Sequence, residues 1–213
     1  DIKGDSMNND FRDIVFNRRS VRVFDENYKI PRDEMLQIIK ETTEAPSSVN
    51  LQPWRFVVVE SQEGKDKLRP LIEFNISQND TSSAMIIIFG DMKCYEKTEE
   101  IYERAVKKGL MNEEEKKKMV DLIMPAYTGA TRQKMNDIVK IDSSLAAMQM
   151  QLVARAHGYE TCLIGGFEED VIAEEFGLDK ERYVPVTIVA IGKGNEEASD
   201  SVRLDPEEVT RFE

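Results

Sequence analysis

The chain has 213 residues, 40% hydrophobic and 33% charged, which is typical of one globular domain with a sizeable core. Its formal net charge of −12 disfavours binding to nucleic-acid phosphates or to an anionic membrane, so neither is an expected partner. Two cysteines, Cys94 and Cys162, and the single His157 argue against a disulfide framework, a metal site and a histidine-based hydrolytic triad, and favour a reducing, cytoplasmic compartment.

Predicted helices and strands alternate along the chain. Residues 1–6 precede Met7 and are interpreted as an expression remnant, which leaves residues 7–213 as a single domain. The apolar spacing and the punctuating prolines and glycines predict helices over residues 11–17, 31–45, 62–73, 134–157 and 168–176, and helical structure within 94–127. Runs of β-branched residues predict strands over 56–59, 84–89, 161–164 and 184–191. No apolar run reaches the roughly 20 residues that span a bilayer.

The helix predicted over residues 134–157 carries an unusually wide apolar stripe. Such a stripe indicates burial on more than one side, either in a dimer interface or in ordinary core packing. The stripe consists of Ile138, Ile141, Leu145, Met148, Leu152 and Ala156. The polar tail over residues 199–213 also contains apolar residues, which suggests that the tail lies on another surface.

The charged region over residues 94–127 admits two readings. Its run EEEKKK, residues 113–118, places opposite charges three and four positions apart, which stabilises an exposed helix. The region is then either a solvated helical surface or a mobile cover over an active site.

A basic cluster stands near the N-terminus of this acidic chain. Arg18, Arg19, Ser20 and Arg22 bring three guanidinium groups and a hydroxyl within five residues. Guanidinium groups match phosphate oxygens, and in an extended segment residues 18, 20 and 22 point the same way. The cluster therefore predicts an anion site, with a solvated basic turn as the alternative.

A second polar segment, APSSVNLQPWRF over residues 45–56, lies between a predicted helix and a predicted strand. Its serine and amide side chains supply the paired donors and acceptors that suit the edge of a heterocycle. Pro46 and Pro53 stiffen the segment. A turn-rich connection would use the same residue types.

In this order and at this distance, the two segments resemble the nitroreductase family of FMN enzymes. The resemblance rests on RRSVRVF (residues 18–24) and APSSVNLQPWRF (residues 45–56), followed by FNISQ (74–78), LIGGF (163–167), a GKG turn (192–194) and an arginine in the tail. It implies an α+β nitroreductase fold with a central mixed sheet flanked by helices. It also implies an intertwined homodimer that exchanges C-terminal extensions and binds two FMN molecules at its interface.

The resemblance also implies an activity. NADH or NADPH would donate hydride, and nitroaromatics, quinones or similar small planar acceptors would receive it by a ping-pong mechanism. Within the family, some relatives instead dehalogenate or degrade flavin. A flavin-binding protein without NAD(P)H turnover is the alternative from another class.

The resemblance implies cofactor contacts and no protein nucleophile, because the flavin carries the chemistry. Arg22 would lie near the flavin and tune it, and Gln78 stands where the family often has a lysine or arginine. The first subunit would supply Arg18, Arg19, Ser20, Arg22, Asn75, Gln78, Ile164, Gly165, Gly166, Lys193 and Arg203; the partner subunit would supply Pro46, Ser47, Ser48, Asn50 and, less directly, Gln52.

Three further residues have simpler interpretations. Trp54 is expected to be buried beside its strand rather than stacked on a ligand, and Cys162 to behave as a small buried hydrophobe. His157 is expected to interact with the last carbonyls of its helix.

Overall fold

The computed structural model describes residues 7–213, so the predicted expression remnant lies outside the described residues. A four-stranded sheet forms the centre of the domain, in the order β1-β2-β4-β3, and every pair of these strands is antiparallel. Parallel pairing enters through an isolated bridge between Ser20 and Thr161. The strands are β1 (Trp54–Val59), β2 (Ala84–Asp91), β3 (Glu160–Ile164) and β4 (Tyr183–Gly192).

Helices flank the sheet and give the α+β architecture that the sequence predicts. None of the helices in the described part of the chain combines the length and the hydrophobicity that crossing a membrane requires. The helices are α1 (Phe11–Asn17), α2 (Arg32–Thr42), α3 (Gln62–Leu68), α4 (Ile76–Thr81), α5 (Thr98–Lys107), α6 (Glu113–Thr128), α7 (Arg132–Ala156), α8 (Ile172–Glu175) and α9 (Pro206–Val209).

Strand β2 is the centre of the core, because all eight of its residues are buried. Its side chains alternate between the two faces of the sheet, as strand geometry requires. Ile86 and Ile88 pack on one side with α2 and α7, whereas Ile87 and Phe89 pack on the other with β3 and α8. A third cluster joins α5 and α6 to α7 through residues such as Tyr102.

Most predicted elements are confirmed, and three helices are shorter than expected. Helix α2 ends at Thr42 and not at residue 45. Helix α3 ends at Leu68, because Pro70 has no N–H to continue the hydrogen-bond ladder; 3-10 turns follow. Helix α8 spans only Ile172–Glu175, and the backbone N–H of Glu168 before it donates to the carbonyl of Leu71, 2.9 Å away.

The wide stripe on α7 does not face the core of this chain. Ile141, Leu145 and Met148 are 61%, 44% and 41% exposed, so the ordinary-core interpretation is wrong for these three. The helix instead packs on the sheet through smaller residues that include Val139 and Ala146, both fully buried. The Cβ of an alanine placed at Gly90 of β2 would come within 2.7 Å of Val139, which shows how closely helix and sheet approach.

Candidate cofactor site

The basic segment over residues 18–24 is extended and fixed along the edge of β3. The N–H of Val21 donates to the carbonyl of Thr161 at 3.0 Å, and Phe24 forms an antiparallel bridge with Gly194. Val21 and Phe24 are 3% and 1% exposed, so they anchor the segment in the core. Arg22, between them, is exposed at the surface.

The side chains of this segment divide into two groups. Within residues 7–213, neither Arg18 nor Arg22 forms an ion pair. Arg19 instead forms an ion pair with the tail. Its Nε donates to Oδ1 of Asp200 at 2.8 Å, and its Nη2 lies 2.5 Å from the same oxygen. The structure therefore keeps the guanidinium groups of Arg18 and Arg22 available to an anion and engages Arg19 with the tail.

A chain of amides connects α4 to the loop after β3. The Nδ2 of Asn75 donates to the carbonyl of Gly166 at 3.2 Å. The Nε2 of Gln78 donates to Oδ1 of Asn75 at 3.2 Å and approaches Sγ of Cys162 at 3.7 Å. Gln78 is 3% exposed, so its side chain fixes Asn75 from behind and does not reach the surface.

The loop that follows β3 is open to solvent at its two glycines. Ile164 before them is 2% exposed and anchors the strand end. A Cβ added at Gly165 would meet no atom within 4 Å, and one at Gly166 would meet only the Nδ2 of Asn75, at 3.7 Å. A flat ligand can therefore lie against the bare backbone here.

Lys193 lies on the Arg19 side of the basic segment. Its ammonium is 5.1 Å from the ring centre of Tyr28 and 5.5 Å from that of Tyr159, which are cation–π distances. Arg19 and Lys193 line a cavity of about 350 Å³ together with two carboxylates, those of Glu160 and Glu196. This cavity therefore combines positive and negative side chains.

The tail places Arg203 away from the other candidate residues. Its guanidinium donates to the carbonyl of Val202 at 3.1 Å and contacts Ser201, and the tail residues from 199 onward are exposed. Val202 and Phe212 are 95% and 93% exposed. In one chain, then, the tail does not bring Arg203 to Arg18.

The polar loop over residues 46–52 forms a separate group. The N–H of Gln52 donates to Oγ of Ser47, and Nε2 of Gln52 donates to the carbonyl of Asn50, both at 3.0 Å. Ser48 is bound to Asp142 of α7. Within residues 7–213, no hydrogen bond or ion pair joins this loop to residues 18–22. Pro46 and Asn50 are exposed.

Comparison with known proteins assigns the chain to a family. The model of the Nitroreductase family matches residues 15–193, which is most of the chain. This chain belongs to the nitroreductase family.

The relatives agree over nearly their whole lengths. A Bacillus subtilis protein named "Putative NAD(P)H nitroreductase YdgI" is 48% identical over 196 residues, 92% of this chain and 94% of that protein. A Staphylococcus epidermidis crystal structure of a "putative NAD(P)H:FMN oxidoreductase" has a TM-score of 0.95 at 54% identity and covers 97% of each chain. An Exiguobacterium sibiricum "putative nitroreductase in complex with FMN" also has a TM-score of 0.95, at 49% identity, with 97% of this chain and 99% of that chain covered. These similarities confirm the predicted nitroreductase fold.

The residues present fit the FMN that nitroreductase membership implies. Among residues 7–213, the guanidinium groups of Arg18 and Arg22 form no ion pair, and Ser20 adds a hydroxyl between them in the sequence. The backbone at Gly165 and Gly166 is open enough for a planar ring. Hydrogen bonds tie the two parts together, since Ser20 pairs with β3 and the Oγ of Ser77 donates to the carbonyl of Arg22 at 3.1 Å.

Two residues of this nitroreductase site region were missed in the sequence. Glu196 accepts the N–H groups of Arg22 and Val23, and nothing in the local pattern of the tail indicates it. Asp142 had a detectable signal, because it is a carboxylate on the same helical face as Val139 and Ala146. A charged side chain on a buried helix face needs a hydrogen-bonding or ionic partner, and it therefore indicates a specific contact.

Two simpler interpretations are confirmed and one is wrong. Trp54 and Cys162 are 5% and 4% exposed, both packed in the core. The ring of His157 does not contact the final helix carbonyls. It lies instead between two carboxylates of α2, with Nδ1 3.3 Å from Glu34 and Nε2 2.9 Å from Glu41.

Proposed function

We propose that this protein is an FMN-dependent oxidoreductase that takes hydride from NAD(P)H and reduces nitroaromatics, quinones or similar small planar acceptors. The observation that supports the proposal is the fixed, extended segment that carries Arg18, Ser20 and Arg22, which hydrogen bonds of Ser77 and Asn75 link through α4 to the open glycine loop. The FMN complex of the Exiguobacterium sibiricum relative supports it.

The proposed residue roles follow from position and charge. Arg18 and Ser20 would bind the phosphate and ribityl end, and Arg22 would lie at the pyrimidine edge of the flavin. Asn75, held by Gln78, would present its remaining hydrogen-bonding capacity to the ring. Lys193 and Arg203 would reach the phosphate only after rearrangement, because Lys193 lies on two tyrosine rings and Arg203 lies in the exposed tail.

The chemistry of hydride transfer comes from the flavin when it is bound, and the protein supplies binding and orientation. Arg22 places a permanent positive charge beside the ring, which favours negative charge there. The amide of Asn75, which Gln78 holds in place, donates to the Gly166 carbonyl and thereby fixes the loop that would face the ring. We expect ping-pong kinetics, because electron donor and acceptor would occupy the same open face in turn.

A homodimer would complete the site. Ile141, Leu145 and Met148 form an exposed apolar stripe on α7, and the tail exposes further apolar side chains. Exposed apolar area of this kind is typical of an interface between subunits. The partner's loop 46–52 would then join residues 18–22, which the loop does not contact within one chain.

The test is the visible absorption spectrum of the purified protein with FMN under anaerobic conditions. NADH and NADPH are added in turn, followed by a nitroaromatic, a quinone, a halogenated phenol or buffer alone. Bleaching by a reduced nicotinamide and recovery with the nitroaromatic or quinone would support the proposal, and the two rates would show the preferred donor. Recovery with the halogenated phenol alone, or loss of the flavin itself, would point to the other activities of the family.

Two variants make this experiment specific to the site. Arg18→Gln removes a proposed phosphate contact, and we expect FMN to bind about 10-fold more weakly, as for loss of a hydrogen bond to a charged group. Arg12→Gln, six residues earlier on the exposed side of α1, is the matched control and should bind FMN normally. Bound FMN that neither nicotinamide reduces would favour a flavin-binding protein without turnover. Absence of FMN binding would refute the proposal.

A further inference from the structure

Asp142 is a carboxylate buried in the helix that crosses the centre of the domain. It is 3% exposed and lies on the face of α7 that carries Val139 and Ala146. Within residues 7–213, no lysine or arginine forms an ion pair with it. A buried carboxylate without a cation is costly, so its hydrogen bonds must account for its presence.

Both hydrogen bonds of Asp142 go to one residue of the polar loop. Oδ2 accepts the backbone N–H of Ser48 at 3.1 Å, and Oδ1 accepts the hydroxyl of the same serine at 3.3 Å. Asp142 thus fixes the backbone and the side chain of Ser48 together, across 94 residues of sequence.

The loop that Asp142 holds has an unfavourable backbone conformation. Val49, Asn50 and Gln52 have φ values of 44°, 59° and 49°, in the left-handed region. A β-branched residue such as Val49 is rarely found there, because its Cβ approaches the backbone too closely. Such conformations persist only where the surroundings enforce them, and they concentrate at binding sites.

A second contact holds the same turn at the next residue. The hydroxyl of Tyr102, on α5, donates to the carbonyl of Val49 at 2.9 Å. Leu51, which is 1% exposed, anchors the turn in the cluster below α5 and α6. The strained residues are therefore held by two contacts, Asp142 to Ser48 and Tyr102 to Val49.

We infer that Asp142 is a positioning residue, which holds residues 47–52 in the strained conformation that presents Ser47 and Asn50 to the FMN of the partner subunit. This inference rests on the proposed function, because it assigns the loop to the cofactor. Ser48 donates both its N–H and its hydroxyl proton to Asp142, so its hydroxyl has no proton left to donate to the cofactor.

The cost of Asp142 to the fold supports this role over a purely structural one. Burial raises the pKa of its carboxyl above the ordinary value, and the bonds from Ser48 offset the shift only in part. The ionised form is therefore disfavoured by folding. An apolar residue would suit this face of α7 better if packing alone mattered.

The experiment compares three variants of the full-length protein. Asp142→Ala removes both acceptors. Asp142→Asn can still accept the N–H of Ser48 with its oxygen and donate its amide hydrogen to the Ser48 hydroxyl. Ser143→Ala is the matched control, because Ser143 is the next residue, is fully buried, and its hydroxyl has no hydrogen-bond partner within the described residues. Should D142A fail to fold by circular dichroism, D142L replaces it and fills the space with apolar atoms.

Two quantities are measured, the dissociation constant for FMN by fluorescence quenching and the amide hydrogen exchange of residues 47–52 without FMN. We expect D142A to bind FMN about 10-fold more weakly or worse and to exchange the Ser48 amide faster. D142N should bind FMN within about threefold of the wild-type protein, and S143A should match the wild type in both measurements.

The outcomes distinguish the positioning role of Asp142 from the proposed FMN-dependent function. Unchanged FMN affinity or unchanged amide exchange in D142A overturns the inference. An equal loss of FMN affinity in S143A also overturns it, because any change in α7 would then disturb the site. If the wild-type protein binds no FMN, the proposed function fails. Faster exchange in D142A would then still support Asp142 as the residue that holds the loop.

Discussion

The carboxylate of Glu196 accepts the backbone N–H of Arg22 over 3.0 Å, and the same oxygen accepts the N–H of Val23 over 3.2 Å. On the other side, Ser77 donates its hydroxyl to the Arg22 carbonyl. The backbone of Arg22 is thus held at both of its polar groups, whereas its side chain is exposed. A substitution at this position changes the charge without releasing the segment.

Arg22→Ala should therefore lower the reduction potential of the bound flavin. A cation beside the ring stabilises negative charge there, and its loss should shift the potential by about −30 mV, equivalent to about 1.4 kcal/mol in a two-electron couple. Arg22→Lys retains the charge and should remain near the wild-type value. The potential is measured by spectroscopic titration against a reference dye. An unchanged potential in R22A would remove this role from Arg22.

The α7 stripe gives a prediction about assembly. Leu145→Glu places a charge in the exposed apolar surface formed with Ile141 and Met148, which should convert a dimer to monomers. FMN affinity should fall with it, by about 10-fold or more, because the partner's loop leaves the site. Light scattering after size exclusion measures the first effect, and fluorescence quenching the second. Leu110→Glu, at an exposed leucine between α5 and α6, is the control. Monomeric wild-type protein that binds FMN tightly would contradict the prediction.

Lys65 predicts a pH dependence of stability. It is 5% exposed, and its ammonium donates to the Ser82 carbonyl. Burial, and to a smaller extent the charge of Lys29, lowers its pKa from 10.5 to about 8. Between these two pH values the unfolded chain binds more protons than the folded chain, so the free energy of unfolding rises with pH. The contribution of Lys65 to stability is therefore present above pH 10.5 and is lost as the pH falls through about 8.

Lys65→Met should accordingly raise the free energy of unfolding at pH 7 by about 1–2 kcal/mol. The gain over the wild type should shrink as the pH rises towards 10. Lys67→Met, on the exposed side of the same helix, should change stability by less than about 0.5 kcal/mol. Urea unfolding at several pH values measures all three proteins. A constant difference between K65M and the wild type would contradict the assigned titration.

Cys94 should be chemically inert in the folded protein. It is 1% exposed, and burial together with the nearby Asp91 raises the pKa of its thiol to about 12. Only the thiolate reacts, so alkylation at pH 8 should be about 1,000-fold slower than for a free thiol. The Cys162→Ala variant isolates Cys94 for this measurement with iodoacetamide. The same variant in urea should react at the ordinary rate, and rapid reaction in the folded state would disprove the prediction.

The sequence by itself determined the elements whose signals are local. The run over residues 84–89, which forms most of β2, is apolar at every position and predicts a buried strand, and the proline at 31 placed the start of α2. The basic segment and the polar loop, read together, identified the family, because a motif is a matter of residue type and spacing. Strand ends and helix lengths were less certain, since a single residue such as Pro70 ends a helix that the periodicity would continue.

The tertiary structure alone determined which residues the side chains of α7, the basic segment and the polar loop contact. The periodicity of α7 shows that two sides are apolar, but it does not show that the alanines face the sheet and the larger residues face outward, because a core and a subunit interface bury the same residue types. Arg19 meets Asp200 from 181 positions away, and Ser48 meets Asp142 from 94. Such contacts depend on how the whole chain packs, so the local sequence does not predict them.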